Sequence, residues 1–241
     1  MGLFSTVLHV HKKEQAEVVN ELIKELAEKR GISKCSRIDI DDINYEQVIS
    51  EDQNTKGAIL YLVTEKQGAW VSVIELNIDI EKPSYLYELT NSLSLRLDTY
   101  CLSFHLHDDD VLFYNLDEKG ESLDGYNSNY QYFFVEPADR DEITSQRHTP
   151  NVFSGIIPAT KNIKVLNDIL NEGYWNAFDN NDLDEDGVPN GDKYDVDEEE
   201  RFVRIGKYLE IYAKEDYPFA NWHDNLSKLK PSHCYLLKAE R

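Results

Sequence analysis

The chain has 241 residues, 41% hydrophobic and 29% charged, and its 25 Lys and Arg against 46 Asp and Glu give a formal charge of −21. That acidity argues against direct binding of nucleic acid or anionic lipid, because either requires Lys and Arg to replace counterions, and it suits a basic partner protein. Three cysteines at irregular spacing (Cys35, Cys101, Cys234) indicate neither a disulfide framework nor a zinc knuckle, and no window approaches the ~20 apolar residues of a membrane span, so a cytoplasmic location is expected.

Residues 3–11 alternate, with Phe4, Thr6, Leu8 and Val10 against Ser5, Val7, His9 and His11, which predicts a first strand. From Lys13 to Arg30 the positions Val18, Val19, Leu22, Ile23 and Leu26 recur at helical spacing, and Gly31 suits the left-handed cap. Residues 32–56 are polar and weakly patterned, so no firm element is expected there. Ala58 to Val63 reads as a buried strand, Glu65 to Gly68 as a turn, and Trp70 to Leu76 as the returning arm of a hairpin. Pro83 and Ser84 open a helix whose Leu86, Leu89, Leu93 and Leu97 form one stripe. A strand over 100–107 follows, and then a hairpin of 111–116 and 121–126 that needs positive φ at Gly120.

The order through residue 107, β-α-β-β-α-β, predicts an α+β fold: a ferredoxin-like split βαβ sheet with an added β-hairpin, spanning residues 1–135. Beyond Pro137 and Pro150, helical patterns near 163–178 and 197–209 predict a small, mainly helical C-terminal appendage over 151–241, containing an acidic loop at 179–200.

That loop carries the most specific motif. Calcium prefers six to eight oxygen ligands, and Asp182, Asp184 and Asp186, Gly187 for the sharp turn, the Val188 carbonyl, Asn190 and Asp192 have the spacing of an EF-hand-type or dockerin-like loop. Position 12 departs from it, because Lys193 stands where the closing carboxylate belongs. From Asp179 to Glu200 there are eleven acidic residues and one basic, which equally describes a solvated acidic loop.

Two histidine pairs, His9/His11 and His105/His107, the latter followed by Asp108, form a second candidate metal set. Period 2 places each pair opposite the apolar residues of its own strand, hence all four on one sheet face. Antiparallel pairing of the two strands, with Val7 opposite Ser103, sends the pairs to opposite ends of the ladder, which argues against one shared ion. The aromatic run Tyr126, Tyr130, Tyr132, Phe133, joined by Trp175 and Trp222, is a candidate contact surface, with core packing as its competing explanation. No phosphate loop, dinucleotide fingerprint, nucleophile elbow or H-E-x-x-H occurs, and no catalytic residue is assigned.

The stretch from His107 through Asp110-Val111-Leu112, Tyr114, Leu116, Gly120 and Asp124 to Tyr126-Asn127-Ser128 resembles a group of uncharacterised bacterial proteins with an HDxDVLxYxLxxxGxxxDxYNS pattern, as does the acidic-Arg helix from Glu198 to Arg201 and on to Leu209. The resemblance implies a cytoplasmic bacterial protein with a mixed sheet and supplies no catalytic residues. The leading expectation is a non-catalytic interaction protein, of the immunity or antitoxin type, that inhibits a basic partner. A metal-dependent hydrolase using the His/Asp face and a calcium-stabilised protein are the competing expectations, and a homodimer is an alternative use of the surface.

Overall fold

In the computed structural model, residues 5–32, 34–38, 58–75, 85–108, 110–133, 139–211 and 234–240 are described. Strand β1 (Ser5–His11) leads into helix α1 (Gln15–Arg30), whose first turn is closed by reciprocal hydrogen bonds between Glu14 and Glu17 and whose end is capped by left-handed Gly31. The apolar face of α1 buries Val18, Val19, Leu22 and Leu26. Strands β3 (Ala58–Thr64) and β4 (Trp70–Glu75) form the expected hairpin, and α2 (Tyr85–Leu97) buries the predicted leucine stripe. A meander of β5 (Tyr100–His107), β6 (Val111–Glu118) and β7 (Glu121–Asn127) follows. Its second turn places Lys119 and Gly120 at positive φ, the pair that a tight two-residue hairpin turn requires.

The described strands form one eight-stranded sheet in the order β2-β8-β3-β4-β1-β5-β6-β7, antiparallel at every pairing. The fold is therefore mixed α+β. Two of these strands were not expected. β2 (Lys34–Ile38) is the sheet edge, and Lys34 and Arg37 give it the polar look that hides an edge strand. β8 (Cys234–Glu240) enters between β2 and β3, and its seven residues carry no period that separates a short strand from helix.

Helices cover both faces of the sheet. On one, α1 and α2 pack on Leu8, Val10, Tyr61, Val63, Val71, Val73 and Cys101. On the other, α4 (Ile163–Asn171), α5 (Tyr174–Asp179) and α6 (Glu198–Tyr208), which follow the short α3 (Arg140–Ser145), join Val7, Leu62, Ile74, Phe104 and Tyr114 in a single core. The described residues of the expected appendage share the core of the sheet, where α4–α6 pack, and β8 is one of its inner strands.

Burial on both faces also overturns the histidine geometry. Val7 faces Phe104 and Leu8 faces Ser103, one residue away from the expected register, and a one-residue slip exchanges the faces. His9 and His11 lie on the α4–α6 side, against Trp70, Phe104 and Tyr100. His105 lies on the α1–α2 side, with Nδ1 2.7 Å from Thr6 Oγ1. The four imidazoles are split by the sheet and cannot share a metal. Among the described residues no group of three or more His, Cys, Asp or Glu side chains is placed to hold one.

Burial holds these rings neutral. Desolvation lowers His9 to about 3, and His11, His105 and His148 to about 4, from an ordinary 6.5. The folded-state pKa values lie below the unfolded one, so the unfolded chain binds more protons. The stability that these rings contribute is complete above pH 6.5 and is lost as pH falls towards 4, by on the order of a few kcal/mol for a deeply buried ring. Asp117 and Glu198, raised by burial, run in the opposite sense but are fewer. The urea midpoint should therefore fall steadily between pH 6.5 and 4, and His9→Gln should flatten the slope; a midpoint that does not change over this interval contradicts the assignment.

Candidate functional site

The β5–β6 turn, the end of β7, the 3-10 turn Tyr130–Phe133 and the segment from residue 188 to 198 surround a cavity of about 360 Å³. The sequence makes each wall for a local reason. Left-handed Asp108 reverses the chain after β5 and sets Asp110 at the rim, where its carboxylate accepts from Tyr132 Oη at 3.0 Å. The Asp197 side chain accepts from the Glu200 backbone N–H, the N-cap that starts α6 and brings Glu198 to the inner wall. Gly173, at φ +69 with the Arg201 guanidinium and Val196 close to its Cα, begins α5 and places Tyr174 beside it.

Four acidic residues line the cavity, Asp110, Asp192, Asp195 and Glu198, with no Lys or Arg among the described lining residues and with Tyr132, Tyr174 and Tyr194 as the aromatic component. Glu198 is 4% exposed. Its Oε1 pairs with Arg201 Nη1 at 2.9 Å, and the Ser128 hydroxyl hydrogen-bonds the same carboxyl group. Desolvation pushes its carboxyl up to about 7, against the pull of Arg201 and of the nearby Ser128 hydroxyl, with Asp197 and Glu172 reinforcing the rise. Tyr174, also 4% exposed, has a buried hydroxyl and is raised by burial to about 12.

Behind this wall, Arg201 is fully buried. Its Nη1 also reaches Tyr126 Oη at 3.1 Å and its Nη2 donates to the Glu172 carbonyl at 2.7 Å, while Tyr126 Oη donates to the Leu170 carbonyl at 2.7 Å. One guanidinium thus ties α6 to β7 and to the turn between α4 and α5. The stretch from Asp110 to Ser128 and the start of α6 meet here, since the first supplies Asp110, Tyr126 and Ser128 and the second Glu198 and Arg201.

The expected interface residues separate by depth. Tyr126 and Tyr130 are 2% exposed and belong to the core, and Trp175 is buried with Nε1 donating to the Asn127 carbonyl. Tyr132 and Phe133 are 41% and 47% exposed and pack edge-to-face against His107, with Phe133 also tilted against Phe113. Trp222 lies outside the described residues.

The acidic loop keeps the backbone that its sequence suggested, with Gly187 at φ +79 and the Asp184 carboxylate accepting from the Asp186 and Val188 N–H groups. Its side chains do not assemble a calcium cage. Asp182 Oδ2 accepts from Lys193 Nζ at 2.5 Å and from Tyr194 Oη at 2.9 Å, so the residue at position 12 supplies its own positive charge to the first ligand. Val188 and Asp192 are also among the residues that line the cavity. Glu198 and Tyr174 were not identified as site residues from the sequence, where Glu198 read as one more acid in a run and Tyr174 lay inside a helical pattern.

No family model, curated protein or solved structure matches the chain.

Removing one partner of a buried ion pair leaves the other charge uncompensated. Arg201→Ala should therefore lower unfolding stability by about 3–5 kcal/mol. Arg204→Ala, which removes the half-exposed pair with Glu172, should cost only about 0–1 kcal/mol. Equal losses in urea denaturation would contradict the role assigned to Arg201.

Proposed function

We propose that this protein is a non-catalytic interaction module that holds a basic partner protein, in the manner of an immunity or antitoxin-type inhibitor. The observation that carries this reading is that exposed Tyr132, with exposed Phe133 packed beside it, lines a cavity whose lining includes four acidic residues. Aromatic side chains supply contact area at low entropic cost, and the charge of −21 steers a cationic surface towards them. A second copy of the chain would bring the same negative charge, so self-association on this face is opposed. The hydrolase alternative loses its ligand set, because the sheet separates His9 and His11 from His105 and His107.

On fold and location the reading is as follows. Strands β3-β4-β1-β5, with α1 and α2 on one face, are a ferredoxin-like split βαβ unit, extended by β6-β7 at one edge and by β8-β2 at the other. Their order and the common face of the two helices support this. Among the described residues no helix is long and apolar enough to cross a membrane, and Cys35 and Cys101 are free thiols. Free thiols suit a reducing compartment such as the cytoplasm.

The test is affinity capture from bacterial lysate, washed at low and then at high salt, with mass spectrometry of each fraction. A protein of basic isoelectric point should be held at low salt, released at high salt, and lost when Tyr132 and Phe133 are both changed to Ala. Capture of nothing basic, or a basic protein held equally by the double variant, contradicts the reading.

A further inference from the structure

We propose that the cavity between the ends of β1 and α6 binds a small neutral aromatic alcohol of the phenol type, with His11 accepting a hydrogen bond from the hydroxyl and apolar side chains holding the ring. The site shares no residue with the cavity beside Tyr132 and does not rest on the functional reading above.

Its walls follow from how the flanking segments end. β1 stops at His11, where left-handed Lys12 turns the chain and donates its N–H to the Ala69 carbonyl at 2.6 Å. After α6, left-handed Glu210 turns the chain, and Trp70 Nε1 donates to the Leu209 carbonyl at 3.0 Å, which holds the end of α6 against β4. The remaining side is the 3-10 turn Val152–Gly155 with the residues up to Ala159. It lies close against Tyr100, because Gly155 has no Cβ to run into Tyr100 Oη. About 350 Å³ remains between these segments, lined by Trp70, Ile156, Ile157, Pro158 and Leu209.

His11 is the buried polar group of this wall. The lining segments from Gly155 to Ala159 and at Leu209 and Glu210 stand on the α4–α6 side of the sheet, and the His11 side chain lies on that same side, its ring 4.7 Å from the Trp70 ring and 6.0 Å from that of Tyr100. The residue is 4% exposed. Its carbonyl accepts from Thr99 Oγ1 at 2.6 Å, but among the described residues its ring makes no hydrogen bond. Its nitrogens are also absent from the sealed, unpartnered atoms of the described residues, which include His9 Nε2 and both nitrogens of His148. A desolvated imidazole whose hydrogen-bonding capacity is unused gains from a ligand that brings a complementary group.

The wall also sets the charge and shape of that ligand. Burial, with Lys12 and Lys66 nearby, lowers the His11 pKa to about 4, so at neutral pH the ring is uncharged and one nitrogen is an acceptor. The exposed rim residues Lys12 and Glu210 bring one charge of each sign, and apolar walls disfavour an ion of either kind. An aromatic ring suits a wall that contains Trp70, and about 350 Å³ is at the small end of ligand pockets, room for a single ring with its substituents. The groove of about 480 Å³ beside α1 differs, since its guanidinium, Arg96, is already paired with Glu21, Glu25 and Glu28.

The experiment titrates the full chain with 4-methylphenol, following the Trp70 indole N–H and the His11 ring by NMR, with toluene and 4-methylbenzoate as comparisons. The phenol should saturate with a Kd on the order of 1 mM, shifting both resonances together. Toluene, which lacks the hydroxyl, should bind at least about fivefold more weakly. His11→Phe, which keeps a ring against Trp70, should reduce 4-methylphenol to the affinity of toluene and leave toluene within about twofold of its former value. The comparison of the two compounds on the unaltered chain decides the matter even where His11→Phe fails to fold. No saturable shift at Trp70 and His11, or equal binding of toluene, overturns the proposal. Tighter binding of 4-methylbenzoate than of 4-methylphenol overturns it as well, since Lys12 and not His11 would then select the ligand.

Discussion

The structure depends on one buried charge. Arg201 has no exposed surface, and a guanidinium in that position is tolerated only because a carboxylate, a phenol and a backbone carbonyl surround it. Each of those partners belongs to a different element, so satisfying the charge fixes α6, β7 and the α4–α5 turn relative to one another. The carboxylate is in turn held by the Ser128 hydroxyl, so the network extends to the end of β7.

The second constraint is the double cover of the sheet. A sheet with helices on both faces has no polar side, so each strand is apolar in both registers and alternation ceases to report which face is inward. β1 and β5 were legible as strands, to the residue at 100–107, but not in their mutual register, because Leu8/Val10 and Leu102/Phe104/Leu106 look alike and are buried against different helices. Helices α1 and α2 were legible because their leucine and valine stripes are one-sided and their ends carry Gly31 or a proline. β2 was hidden by the lysine and arginine that an edge strand needs, and β8 by its brevity and by its distance in sequence from the strands it joins.

The site was legible in pieces and not as a whole. The acidic loop was recognised, and its Gly187 turn is present, yet its role changed when Lys193 took the position of a ligand and bonded Asp182. The aromatic run was recognised, and burial then divided it, with Tyr126 turned to Arg201 and Tyr132 to the surface. What sequence spacing could not express is that Asp110, Tyr132, Tyr174 and Glu198, distributed over nearly ninety positions, meet around one space. Only tertiary structure distinguishes Glu198 from the acids on either side of it, because depth rather than composition raises its pKa.

The account stands on Glu198 being a desolvated carboxyl buried against Arg201, and the most direct test is its own titration, followed through the side-chain carboxyl carbon by NMR. A midpoint near pH 7, with the resonance of Ser128 moving in step, is the result the structure requires. A midpoint near the ordinary 4.5 would mean that water reaches the carboxylate, and the buried pair with Arg201 would then not hold α6 on β7.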